Sequence, residues 1–193
     1  MAASVLLMSM SVDGYIAGPN DAPGNPGGDG FLRLHEWYKT ADGDFGRPEG
    51  PAEVIWDELH ATGAVLVGRR TAEQVDYYGG DHHGVPIFVL SHQPAPSAAE
   101  KYPTVKFVTD GIEIAMAQAK AAAGDKDVLV HGAYTAQKAL EAGVLDELQI
   151  DQVPVLFGRG LRLFDVLPAQ IELDVVRVID TPTATHLRYR IRR

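Results

Sequence analysis

Four short apolar runs constrain this chain more than any other feature. They occupy residues 64–67, 86–90, 105–108 and 128–130, and each is followed by a helical pattern. Each run ends at a glycine, a cation or a hydroxyl: Gly68-Arg69-Arg70-Thr71, Ser91-His92, Thr109-Asp110-Gly111 and His131-Gly132-Ala133. Open α/β sheets bind ligands just beyond the carboxyl ends of their strands. Glycine there lets a ligand approach the backbone, and a helix N-terminus there attracts phosphate. The pattern predicts a nucleotide-type binder.

Composition narrows the function classes. The chain has 193 residues, of which 46% are hydrophobic, which suits one domain over 1–193 with a full core. Its net charge is −9, from 26 acidic and 17 basic residues. That balance lacks the broad basic footprint of a nucleic-acid binder, so any phosphate site must be a local cluster. With no cysteine, disulfides and Cys-based metal sites are excluded, which fits a reducing cytoplasm. No apolar run approaches ~18 residues, so neither a signal peptide nor a membrane span is expected.

Along the chain, residues 4–10 read as a buried strand followed by the turn at Asp13-Gly14, and apolar character resumes over 15–17. Residues 18–30 are dense in Gly, Pro, Asn and Asp, which predicts a long loop. Such a loop is either a functional lid with few anchoring side chains or a tolerated insertion. Short helices are expected over 31–40 and 52–62. Thr71 with Gln74, and Asp110 with Glu113, fit the capping-box spacing. Ala-rich and amphipathic helices follow over 114–123 and 134–142, each stopped by a glycine. Strand patterns at 147–157, 171–179 and 186–191 close the chain, the last two as an antiparallel hairpin. The expected fold is α/β, with central parallel strands, flanking helices and antiparallel strands at the end.

Gly68-Arg69-Arg70-Thr71 stands between a strand and a helix, where two guanidiniums suit a phosphate, although two solvated arginines would look the same. Neither a Gly-x-Gly-x-x-Gly after a strand nor a Walker A lysine is present, which disfavours a standard Rossmann or P-loop domain. His82-His83 reads as a polar loop, since adjacent residues do not share a face and no third ligand is evident; no metal is expected. Ser91 lacks the glycine elbow of a hydrolase nucleophile. Trp37 and Tyr38 suit either a ring-binding wall or core packing. Glu36 beside them suits either an aminopyrimidine edge or solvent.

Several segments, in order, resemble dihydrofolate reductase-like proteins. Ser11-Val12-Asp13-Gly14-Tyr15-Ile16-Ala17 resembles their first strand and loop, and Val67-Gly68-Arg69-Arg70-Thr71 their Gly-Arg-x-Thr turn. Val89-Leu90-Ser91-His92 resembles their Leu-Ser-basic segment. Leu145-Asp146-Glu147-Leu148, followed by Val153-Pro154-Val155-Leu156-Phe157-Gly158-Arg159-Gly160, resembles the reductase domain of the bacterial riboflavin-biosynthesis enzyme. The chain is identified as a member of the dihydrofolate reductase / riboflavin-reductase C-terminal domain superfamily. The resemblance implies a cytoplasmic NADPH-dependent oxidoreductase acting on a pterin-like or pyrimidine-like small molecule, with a homodimer allowed for. It places Ser9, Ile16 and Ala17 beside the nicotinamide. Gly68, Arg69, Arg70 and Thr71 would lie at phosphate, and Ser91 and His92 around the 2′-phosphate. His131, Gly132, Ala133, Tyr134 and Thr135 would lie at the pyrophosphate. Glu36 and Trp37 are the substrate-side candidates. No catalytic proton donor is identified.

Two departures accompany the resemblance. Where the family commonly carries two glycines, this chain has His131-Gly132, which adds bulk and a titratable ring. The carboxylate that grips the pterin in dihydrofolate reductases falls on Leu34, and the glutamate that precedes the glycine pair in riboflavin reductases falls on Val130. A non-catalytic nucleotide-binding or sensor protein on the same fold is therefore the alternative.

Overall fold

The computed structural model describes residues 2–22, 24–165, 167 and 169–193. It divides into two compact units, one formed by the chain up to Leu6 with Ala61–Asp146, the other by Leu7–His60 with Glu147–Arg193. Strand β1 (Ser4–Ser11) contributes to both.

The first unit is the parallel part. Its strands are the start of β1, β3 (Ala64–Gly68), β4 (Ile87–Leu90), β5 (Val105–Val108) and β6 (Val128–His131). They run in the order β5-β4-β3-β6-β1, and every pairing is parallel. β3 and β4 are buried throughout, as strands covered on both faces must be, which accounts for their unbroken apolar runs. Helices α2 (Arg69–Gln74), α3 (Ile112–Ala123) and α4 (Ala133–Glu141) belong to this unit, α3 packing on β3 and β4 and α4 on β3 and β6. α3 buries Ala115, Met116, Ala119 and Ala123 on one stripe and stops at Gly124. Asp146 fastens the start of β1: its carboxylate accepts from the Ser4 amide (2.9 Å) and hydroxyl (2.9 Å) and from Lys120 (2.8 Å).

The second unit is the antiparallel part. β7 (Glu147–Val153), β10 (Thr185–Ile191) and β9 (Leu173–Asp180) pair antiparallel in that order, and β9–β10 is the expected hairpin. β2 (Tyr15–Ala17) pairs with β8 (Leu161–Arg162), a pairing the sequence did not signal because β8 has only two residues. Helix α1 (Glu53–Ala61) places Ile55 in a core with Leu34, Trp37, Ala52, Val153 and Ala184. The turn after β1 is anchored by Asp13, whose carboxylate accepts from Ser11 Oγ (2.7 Å), Phe157 N (3.0 Å) and Gly158 N (2.7 Å). The Ser11 hydroxyl, with those two amides, holds the Asp13 carboxyl at about 2.

Several local expectations are corrected. The short helix expected over 31–40 is a 3-10 helix that ends at Tyr38 (Phe31–Tyr38), entered through left-handed Gly30 and without a side-chain cap. Neither capping box forms. Gly68 and Gly111 are the N-caps, so α2 begins two residues before Thr71, and Asp110 stands outside α3. β4 leads into no α-helix, only a 3-10 turn at Ser97–Ala99 after Pro94 and Pro96. The loop over 18–30, in which Pro23 lies outside the described residues, is not short of anchors. Asn20 and Asn25 both donate to Asp29 (2.7 and 2.9 Å), and Asp21 accepts from Gly27 N (2.9 Å).

Two predictions follow from this packing. Trp37 is 7% exposed and its indole N–H donates to Ser9 Oγ at 2.9 Å. Trp37→Ala should cost about 3–5 kcal/mol and lower the melting temperature by roughly 10 °C; a change under about 2 °C would remove it from the core. Asp13, whose carboxyl is held below the unfolded value of about 3.9, adds stability at neutral pH that is lost as pH falls from about 4 towards about 2. Asp13→Asn should therefore be less stable at pH 6, with the gap closing over that interval in melting curves. A gap that is constant with pH would show that the carboxylate contributes nothing.

Candidate functional site

In the first unit, β3 and β6 lie side by side in parallel with Val67 opposite His131. The next residues, Gly68 and Gly132, therefore leave the sheet together, one opening α2 and the other α4. Gly132 has φ +88°, a conformation a side chain disfavours. A Cβ on Gly132 would stand 2.9 Å from Thr71 Oγ1, and a Cβ on Gly68 would stand 3.0 Å from Thr135 Oγ1. Each glycine is thus faced by the threonine of the other's helix. No side chain caps either helix. The Thr135 hydroxyl is buried and has no hydrogen-bond partner among the described residues. The first amides of α4 and its positive dipole end, with glycine on both sides, suit an anion.

Cations and hydroxyls gather at the same strand ends. Arg69 Nε donates to Glu73 (2.7 Å), while its Nη1 reaches Pro94 O (3.2 Å) and Ser91 Oγ (3.4 Å). Its guanidinium also lies 5.8 Å from the Phe107 ring centre. Ser91 is buried, whereas His92 is exposed and its Nε2 meets the Tyr134 hydroxyl at 2.9 Å. Arg70 is exposed on the first turn of α2, and Ala133 is buried at the first position of α4. The carboxyl ends of β3, β4 and β6 therefore bring together the residues from Gly68 to Thr71, Ser91, His92, and those from His131 to Thr135.

Sequence reasoning missed the partner of His131. The Tyr78 hydroxyl meets His131 Nδ1 at 3.0 Å. His82 packs edge-on against both rings, with centroids 4.6 Å from Tyr78 and 5.5 Å from His131. His83 stands against His82 (4.7 Å), and its Nε2 lies 3.0 Å from Thr62 Oγ1. Burial pushes the Tyr78 phenol well above its ordinary range. The only signal was Gly79-Gly80, which marks a turn without saying what the turn presents. Among the described residues, no group of three or more His, Asp or Glu side chains is arranged to hold a metal.

Ser9, Ile16, Ala17, Glu36 and Trp37 belong to the second unit. Ser9 accepts from Trp37, and Ile16 and Ala17 are buried in β2. Glu36 turns to Arg33 (3.3 Å) and Lys39 (3.5 Å) on its own segment. A second missed group lies behind Trp37. His186 and Asp151, register partners on β10 and β7, are fully buried, with Nδ1 and Oδ1 2.7 Å apart. Asp151 Oδ1 also accepts from Gln149 Nε2 (3.0 Å), and the Trp37 ring stands edge-on to His186 at 4.9 Å. Tyr38, in the same core, is pushed up to about 12 by burial first and by the Asp151 charge second. Gln149 and Asp151 inside a strand pattern were the available signal, since polar residues at alternate positions of a core strand need partners.

No helix among the described residues is long and apolar enough to cross a membrane. No curated protein sequence matches the chain. Among solved structures, it is similar over 99% of both chains to a protein of Shewanella sp. PV-4 assigned to riboflavin biosynthesis, at 23% identity and a TM-score of 0.75. It also resembles the diaminohydroxyphosphoribosylaminopyrimidine deaminase / 5-amino-6-(5-phosphoribosylamino)uracil reductase of Thermotoga maritima, at 15% identity and a TM-score of 0.62. That likeness covers 98% of this chain and 56% of the other. Dihydrofolate reductase of Enterococcus faecalis, complexed with NADP(H), matches over 99% of this chain and 97% of its own, at 14% identity and a TM-score of 0.62. These likenesses establish a dihydrofolate reductase-like α/β fold. The model of the RibD C-terminal domain matches residues 4–187, and the chain belongs to that family.

Proposed function

We propose that the protein is an NADPH-dependent reductase that transfers a hydride to a pterin-like or pyrimidine-like small molecule in the cytoplasm. The observation that carries this reading is the paired Gly68/Thr135 and Gly132/Thr71 arrangement at the uncapped start of α4. A Cβ at either glycine would fill the cradle, and the Thr135 hydroxyl is buried beside it without a protein partner. The residues therefore fit a dinucleotide pyrophosphate, and membership of the RibD C-terminal domain family supports the same cofactor class.

When bound, the reduced nicotinamide supplies the hydride; the protein supplies binding and electrostatics. Gly132, Ala133, Tyr134 and Thr135 would hold the pyrophosphate through backbone amides and the Thr135 hydroxyl. Arg69, Arg70, Ser91 and His92 would take the 2′-phosphate, with Arg69 already placed against Ser91. In the second unit, Ser9, Ile16 and Ala17 are the nicotinamide candidates. Trp37, fixed by Ser9, supplies a rigid aromatic group on the substrate side. Glu36 has two cations to satisfy its charge and is the weaker substrate candidate.

A 2′-phosphate carries about two negative charges near neutral pH. NADPH should therefore bind more tightly than NADH in calorimetry, and Arg69→Ala or Arg70→Ala should narrow the difference by roughly 1–3 kcal/mol. Equal affinities in the unmutated protein would defeat the cofactor assignment. With NADPH bound, oxidation followed by absorbance across a panel of dihydropterins and ribosylaminopyrimidines should pick out at least one substrate. Tight NADPH binding with no turnover on any of them would favour the sensor reading instead.

A further inference from the structure

We propose that Tyr78 is a positioning residue of the dinucleotide site: its hydroxyl donates to His131 Nδ1 and keeps that imidazole neutral, with its proton on Nε2. The inference rests on the reading of α4 as the pyrophosphate site, because His131 is the residue immediately before its N-cap.

The backbone that presents Tyr78 is unusual. Asp76, Tyr77 and Tyr78 have φ of 43°, 54° and 57°, and Gly79 and Gly80 continue at 66° and 82°. Five successive residues thus wind left-handed, although three carry side chains that disfavour it. Neighbours in the same unit hold the turn. Asp76 accepts from the Tyr102 hydroxyl (2.6 Å) and from Lys101 (3.4 Å). Tyr77 is buried against Tyr102 and Phe107, at ring distances of 5.9 and 6.1 Å. Tyr78 N donates to Val75 O (2.9 Å). With Tyr77 committed to one side, the next residue carries its hydroxyl to His131.

The protonation state of the pair follows from the donor inventory. Burial keeps Tyr78 in its phenol form throughout the neutral range. Its hydroxyl must give its proton to an acceptor, and His131 Nδ1 is its hydrogen-bond partner among the described residues. If Nδ1 carried a proton, two donors would face each other or the phenol hydrogen would lose its acceptor. The remaining surroundings also disfavour an imidazolium. His82 packs against both rings, with His83 behind it, so a charge on His131 would face two more titratable imidazoles. Across the sheet, the register partner of His131 is apolar Val67, and the next charged residues beyond that strand are Arg69 and Arg70 at the start of α2. On its own chain, the positive dipole end of α4 follows. Tyr78 thus gives the site a neutral ring whose N–H is a donor.

Nuclear magnetic resonance of the ligand-free, full-length protein with ¹⁵N-labelled histidine reads this directly. His131 should show the Nε2–H tautomer at pH 7.5. Its apparent pKa should lie at least about one unit, or tenfold in proton affinity, below that in Tyr78→Phe. His82→Gln, which leaves the hydroxyl in place, should move it less. With NADPH in calorimetry, lowering the pH from 7.5 to 5.5 should raise the affinity of Tyr78→Phe by about tenfold more than that of the unmutated protein. An Nδ1–H tautomer, equal pKa values with and without the hydroxyl, or a larger shift from His82→Gln would each overturn the proposal. If Tyr78→Phe does not fold, the tautomer of the unmutated protein decides alone. Absence of NADPH binding at any pH would defeat the cofactor reading and leave the resonance result to judge Tyr78.

Discussion

Everything at the candidate phosphate site depends on the parallel pairing of β3 with β6. Because Val67 stands opposite His131, two βα turns emerge side by side, and each can afford no side chain where the other helix begins. A one-residue slip would replace this exchange of glycine and threonine with a clash, and would turn every buried residue of β6 to the other face. Arg69 and Ser91, contributed by β3 and β4, extend the same row of strand ends. The clustering of these candidate groups is thus a consequence of sheet register, while the individual residues supply only its chemistry.

Polar groups partly or fully withdrawn from solvent brace each unit. In the first, the Asp146 carboxylate is satisfied by Ser4 and Lys120, which fixes the entry into β1. In the second, Asp151 and His186 occupy positions where strands of this kind ordinarily carry apolar residues. They share a hydrogen bond at 2.7 Å; removing Asp151 would cost His186 that bond, and removing His186 would leave Asp151 with Gln149 alone. Trp37 is held from two sides in that core, its indole N–H on Ser9 and its ring edge on His186. The Trp37 ring is consequently rigid.

His131 immediately precedes the Gly132 N-cap of α4, and a left-handed turn that includes the non-glycine residues Asp76, Tyr77 and Tyr78 brings Tyr78 to meet it. Strained backbone persists only where surrounding packing over-determines it, and here Tyr77, Tyr102 and Phe107 do so. The two features therefore belong together.

The order and type of most strands and α-helices are legible in the chain alone. The apolar runs at β3 and β4 suit strands covered on both faces, Gly124 ends α3, and residues 181–184 join a hairpin. The sequence also determined that Gly68, Gly132 and Arg69 sit at strand ends, because position along a strand is a local property. Capping was misread at Thr71 and Asp110, since the N-caps are Gly68, three residues before Thr71, and Gly111, one residue after Asp110, and capping spacing alone cannot choose between them. Tertiary structure alone decided which of these residues meet. Thr135 facing Gly68, Tyr78 bonding His131 and Asp151 pairing with His186 join residues separated by tens of positions. Their contact follows from register and from the hand of a turn, and neither leaves a periodic trace in the chain.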